Sequence, residues 1–131
     1  MARSLPEYVE ERERECKALS LHPLRPPTYA TELGSDGKRG RVMMALGLTE
    51  RAYLSVSELV EVRSDYVHRL EYAYYLIMDE QEYRAWDFDA IHGYHGHSAG
   101  HERIEGDRIS FKAAAEAAWE IVSQEEDLTG E

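Results

Sequence analysis

Four of the six histidines lie within ten residues, in the segment HGYHGHSAGH. They are His92, His95, His97 and His101, and no Asp, Glu, Lys or Arg separates them. Neutral imidazoles bind zinc, nickel and copper, so these four side chains could hold a divalent metal such as zinc. No cysteine lies among them, which weakens the signal of a zinc site, so the prediction is a protein with no cofactor and the metal site is the alternative.

The same histidines suit acid–base catalysis on RNA. Imidazole titrates nearest neutral pH, so one histidine can accept the proton of the 2′-hydroxyl while another protonates the leaving oxygen, without a metal. We therefore predict His95, His97 and His101 as catalytic residues. A guanidinium matches two phosphate oxygens, so Arg84 is predicted to join this catalytic set by holding the phosphate, and Arg103 is a second candidate.

Other residues could complete this site. Trp86 and Tyr94 could stack on a base, and Asp87 could either orient a histidine or repel the phosphate. Glu58 is also a catalytic candidate, because a carboxylate among apolar neighbours needs a partner, for which Arg84 is the obvious choice. The structural alternative is that Glu58 reaches solvent at an edge strand, and that the histidines cap strand ends.

Strand patterns account for the elements that must position these residues. The segment AYLSVSELVEV alternates, and its core-facing residues are predicted to be Leu54, Val56, Val60 and Val62. RVMMALGL precedes it, and YVHRLEYAYYLIM and EYRAWDFD follow after turns at 63–65 and 79–81. Short polar turns between consecutive strands predict an antiparallel meander.

Two helices are predicted to flank the strands. Ser4 can cap the first, and its thin apolar stripe predicts a peripheral position before a linker rich in proline. Ser110 can cap the second, SFKAAAEAAWEIVSQEED, which should pack on one face of the sheet. The prediction is one α+β domain over 1–131: an antiparallel meander sheet of about four to six strands with a C-terminal helix packed on one face. It divides into a peripheral N-terminal helix and linker (1–26), a core (27–124) and a tail (125–131).

The charge is strongly negative, with 26 acidic residues against 15 basic ones and a net charge of −11. Such a chain repels phosphate backbones at long range, which excludes non-specific nucleic-acid binding as its main task. Only three of the basic residues are lysine, a balance that favours adaptation to concentrated salt; an arginine-rich codon usage with ordinary acidity is the alternative. The single cysteine and the lack of any apolar run of membrane-spanning length predict a cytoplasmic protein without a membrane partner.

Four motifs over residues 40–124 resemble the TumE family, the toxin half of bicistronic toxin–antitoxin pairs. They are Val56-Ser57-Glu58, Tyr72-Ala73-Tyr74-Tyr75-Leu76, Tyr83-Arg84-Ala85-Trp86-Asp87 and His95-Gly96-His97. The chain departs from the family pattern in two places: Ser98-Ala99-Gly100 replaces a segment with proline, and Ala85 or Trp86 is an extra residue.

The resemblance implies a toxin neutralised by a small helix-turn-helix antitoxin encoded nearby. RNA is the target that such a toxin would attack, with His95, His97 and Arg84 as the working residues. The alternative is a non-catalytic binding or metal-sensing module, formed as a homodimer through an exposed strand.

Overall fold

The structure is a computed structural model that describes residues 2–19, 30–33, 38–64, 66–89, 91, 93–97, 103–104 and 109–130. Along the chain, seven strands lie between two helices. The elements are α1 (Leu5–Leu19), β1 (Ala30–Leu33), β2 (Arg39–Gly47), β3 (Ala52–Arg63), β4 (Tyr66–Met78), β5 (Gln81–Asp89), β6 (Gly93–His97), β7 (Arg103–Ile104) and α2 (Phe111–Gly130).

The strands form one antiparallel sheet in the order β1-β2-β3-β4-β5-β6-β7, so every strand pairs with its neighbours in sequence. The predicted α+β class, the meander and both flanking helices are confirmed. The outermost strands are short, four residues in β1 and two in β7, and the five between them fall within the predicted number. The predicted turns before and after β4 contain Ser64, Asp79 and Glu80, all with positive φ.

Strand alternation gives the sheet one apolar face. Leu54, Val56 and Val60 are buried as predicted, and Val62 packs partly buried at the end of the same row. The neighbouring strands complete this face with residues of matching parity, which are Val42, Met44, Leu46, Tyr72, Tyr74, Leu76 and Trp86. We call it the helix face, because both helices pack on its β2–β4 part.

Local sequence explains how the helices begin. The Ser4 hydroxyl accepts the backbone N–H of Glu7 at 3.3 Å, and the Ser110 hydroxyl accepts that of Ala113 at 3.1 Å, so both predicted caps are confirmed. Small residues, Ala114 and Ala118, let α2 approach the sheet closely. The α2 backbone continues through Gly130, so the predicted tail at 125–131 is largely helical.

Helix α1 packs on the sheet through a narrow row of buried side chains, which agrees with its predicted thin stripe. Leu5, Tyr8 and Cys16 are buried, whereas the other side of the helix is exposed. The predicted linker prolines, Pro23, Pro26 and Pro27, lie outside the described residues. Neither helix, over the residues described, has the length and apolar character needed to cross a membrane.

The strand residues of the other parity form the opposite face of the sheet, and we call it the open face. Arg41 and Met43 of β2, Ser57 of β3, Tyr75 of β4 and Asp87 of β5 belong to it. Its side chains are mostly half-buried, and Met43 is 39% exposed. The two faces therefore offer different chemistry, so the predicted site residues must be assigned to one or the other.

Candidate functional site

Among the described residues, Glu58 on the helix face is the centre of an extended side-chain hydrogen-bond network. Glu58 lies in the middle of β3, between β2 and β4, and its side chain is 0% exposed. The prediction that it reaches solvent at an edge strand is therefore wrong. The prediction that Arg84 pairs with it is also wrong, because the two guanidiniums near Glu58 belong to Arg12 and Arg69.

Each carboxylate oxygen of Glu58 accepts a hydrogen bond from one tyrosine. The Tyr8 hydroxyl donates to Oε1 at 3.0 Å and the Tyr74 hydroxyl to Oε2 at 2.5 Å. Each tyrosine oxygen in turn accepts from an arginine: Arg12 donates to Tyr8 at 2.7 Å and Arg69 to Tyr74 at 2.6 Å. Arg12 Nε also donates to Glu58 directly at 2.9 Å, so α1, β3 and β4 are joined by one network, the Glu58 network.

The charges within the Glu58 network hold the tyrosines in their neutral form. Burial raises the pKa of both Tyr8 and Tyr74, and the Glu58 carboxylate raises it further because a second negative charge beside it would be repelled. Burial alone would lower the pKa of Arg12, but Glu58, Tyr8 and Glu15 together outweigh burial and the pKa is raised. Both hydroxyls therefore remain donors at any physiological pH.

The sequence indicated Glu58 but not its partners. Arg12 lies 46 residues away along the chain, on a helix that was predicted to be peripheral. One signal was present: Tyr8 and Arg12 are four residues apart in a helix, so their side chains share a face. A buried carboxylate and a helical Tyr–Arg pair are complementary, but only the packing of α1 on the sheet brings them together.

A different set of polar residues lies on the open face. Asp87 is 9% exposed and interacts with the Tyr75 hydroxyl on the adjacent strand. Burial and the Asp87 carboxylate raise the pKa of Tyr75 to about 12. The backbone register pairs Asp87 with His95 and Ala85 with His97, so the predicted catalytic positions lie on the neighbouring strand.

A groove of about 300 Å³ runs along the open face beside these residues. Tyr75 and Asp87 line one part of it, and Arg41 and Ser57 line the part nearer β2. Arg41 donates a 3.3 Å hydrogen bond to the Ser57 hydroxyl. Acidic side chains outnumber the arginine, since Glu71 and Asp89 line the groove as well.

Arg84 lies on the helix face, away from the groove. Its register partner is Leu76, and its guanidinium lies 5.3 Å from the Trp86 ring. Arg84 also interacts with Tyr94, whose pKa is raised because partial burial outweighs the effect of the arginine. Trp86 is buried in the core. Arg84, Trp86 and Tyr94 were predicted to act beside the histidines, but they form a separate group on the helix face.

Part of the predicted histidine site lies outside the described residues. His92 and His101 belong to that part, as do the side chains of His95, His97 and Arg103. The backbone of Arg103 pairs with that of His97. Among the side chains that are described, no three His, Cys, Asp or Glu residues form a cluster that could hold a metal ion, so the four-histidine metal site stays a prediction.

Known proteins do not assign a role to these residues. The resemblance to the TumE family stays a prediction that the quoted motifs carry. Comparison with protein-family models, curated proteins and solved structures finds no match to this chain.

Proposed function

We propose that the chain is the toxin of a toxin–antitoxin pair of the TumE type and that it cleaves RNA with histidines of β6. The observation that carries the proposal is the pairing of His95 with Asp87 across β5 and β6. A carboxylate beside an imidazole orients the ring and stabilises its protonated form. His97 is two residues along the strand and supplies the second imidazole that acid–base catalysis needs.

The reaction uses no metal. One histidine accepts the proton of a ribose 2′-hydroxyl as the oxygen attacks phosphorus. The other donates a proton to the departing 5′-oxygen, so the products are a 2′,3′-cyclic phosphate and a 5′-hydroxyl. Tyr75 supports this chemistry, because its raised pKa keeps its O–H a neutral hydrogen-bond donor to the Asp87 carboxylate.

The acidic groove constrains the substrate. Arg41 faces three carboxylates there, those of Glu71, Asp87 and Asp89, so backbone phosphates gain little from long-range attraction. We therefore propose single-stranded RNA as the substrate, bound through base edges and ribose hydroxyls, which hydrogen-bond with Tyr75 and Ser57. Duplex RNA, with its denser phosphate charge, should be excluded.

Growth on induction without the antitoxin tests this function. The wild-type chain should arrest growth, and His97→Ala should relieve the arrest while the protein remains folded. His68→Ala is the matched control, because His68 is exposed on β4 and pairs with Glu61, away from the groove. Normal growth with the wild-type chain would remove the proposal, and so would relief by both variants.

A second candidate is a non-catalytic binding module that dimerises through the open face. The open face supports it, because Met43 is exposed there and Tyr53, Leu59 and Ile77 are only half-buried. Replacing Met43 by Glu should then convert a dimer to a monomer in light scattering. A wild-type monomer at micromolar concentration would contradict this candidate.

A further inference from the structure

A second groove lies on the helix side of the molecule, where α1, β4 and the beginning of α2 meet. Its volume is about 330 Å³. Arg12, Arg69 and Lys112 line it together with Ser110, and Glu15 stands at the same wall. We call it the arginine groove, and it opens above the Glu58 network.

The groove is a local exception to the charge of the chain. Its three cationic side chains share the lining with the carboxylate of Glu15, and the carboxylate of Glu58 is buried behind Arg12 and Arg69. The balance is one positive charge, in a protein whose net charge is −11. A patch of opposite sign in an acidic surface is a place where an anion is favoured over the rest of the molecule.

The guanidiniums are held in place before any ligand arrives. Arg12 donates to Glu58, Tyr8 and Glu15, which engages three of its five N–H groups and fixes the plane of the others. Arg69 donates to Tyr74 and stacks over the Tyr72 ring at 4.0 Å. The side chains of both arginines are only about 15% exposed, 14% for Arg12 and 15% for Arg69, so little conformational entropy is left to lose on binding.

We propose that the arginine groove binds a phosphate group. Planar guanidiniums match the tetrahedral oxygens of phosphate, the Ser110 hydroxyl adds a neutral donor, and Lys112 is an exposed and adjustable counter-charge at the rim. Free phosphate and the terminal phosphate of a nucleotide share this chemistry. The site lies on the opposite side of the sheet from the proposed RNA-cleavage residues and is independent of them.

Titration of the ¹⁵N-labelled chain tests the proposal, first with inorganic phosphate and then with a nucleoside monophosphate. KCl keeps the ionic strength constant. We expect the amide resonances of Ser110 to Lys112 and the Arg12 Nε–H resonance to shift in a saturable way. Equal affinity for both probes would identify phosphate itself as the ligand, and tighter binding of the nucleotide would identify a nucleotide phosphate.

A matched pair of variants tests whether phosphate binds in the arginine groove. Lys112→Gln should weaken phosphate binding about tenfold, the usual effect of losing one charged hydrogen-bond donor. Lys17→Gln makes the same charge change on α1, where Lys17 faces Glu13, and should leave the affinity unaltered. Shifts confined to other parts of the chain, or equal losses in both variants, would overturn the proposal, whether or not the protein arrests growth.

Discussion

Glu58 is the residue on which the polar interior depends. It accepts hydrogen bonds from two tyrosines and one arginine while fully buried. A buried carboxylate with such partners is tolerated because the surrounding donors replace its hydration. Removing its charge would leave the Arg12 guanidinium facing a neutral group in a low-dielectric interior.

Glu58→Gln should therefore destabilise the protein by about 3–5 kcal/mol, the cost of breaking a buried ion pair on one side. The new amide also points a donor at residues that are themselves donors. Urea denaturation measures the change. Glu61→Gln is the control, three residues along β3, where Glu61 pairs with the exposed side chains of Arg39 and Arg63, and its urea midpoint should stay close to that of the wild type. Equal midpoints for the two variants would contradict a central role for Glu58.

The buried thiol of Cys16 predicts how the stability of the fold depends on pH. Its thiol is buried against the Met44 sulfur at 3.2 Å, and burial raises its pKa to about 12. The folded state therefore binds the proton more tightly than the unfolded state. Stability from this group is fully present below the ordinary pKa of 9.0 and is lost as the pH rises toward about 12.

A disulfide reagent at pH 8 should accordingly leave native Cys16 unmodified and should label it quickly in urea. The rates are read from the released thiolate chromophore. Rapid labelling of the folded protein would show that the thiol is accessible and that α1 does not remain docked.

At the scale of elements, α2 packs through a surface of small side chains. Ala114, Ala115 and Ala118 are buried against β3 and β4, and their size allows the Phe111 ring to meet Tyr74 edge-on at 6.0 Å. The apolar stripe of α2 could be predicted from sequence, because the alanine spacing and the Ser110 cap both indicate a helix that packs on the sheet. The short distance between α2 and the sheet could not be predicted, since it depends on the side chains of two strands.

Ala118→Leu should cost about 1–3 kcal/mol, because the added atoms have no space between α2 and the sheet. Ala113→Leu is the matched control, since Ala113 is exposed on the same helix, and it should be nearly neutral. Thermal unfolding compares the two variants. A stabilised Ala118→Leu would show that the helix packs loosely.

Carboxylates outnumber cationic side chains over the whole molecule, so its net charge is negative and the carboxylates repel one another at low ionic strength. Salt screens that repulsion, so the melting temperature should rise as KCl increases toward molar concentration. The effect should shrink near pH 5.0, where the net charge approaches zero. A melting temperature that is independent of KCl at pH 7 would count against adaptation to concentrated salt.

The fold could be predicted from sequence because its signals are local: alternation in β3, turns around β4 and caps before both helices. The candidate site could be predicted only in part. Glu58 stood out as a carboxylate among apolar positions, but Arg12 and Arg69 became its partners through contacts over long sequence separations. Arg84 and Asp87 are close in sequence but point to opposite faces of β5, because side chains alternate along a strand and the two positions differ by an odd number of residues.

The proposed function makes its most direct prediction in a mixture of purified protein and single-stranded RNA containing EDTA. The account predicts cleavage that leaves 2′,3′-cyclic phosphate and 5′-hydroxyl ends, a rate that follows a bell-shaped pH profile, and its loss in His97→Ala but not in His68→Ala. RNA that remains intact with the folded wild-type protein, or cleavage that persists in His97→Ala, would contradict it.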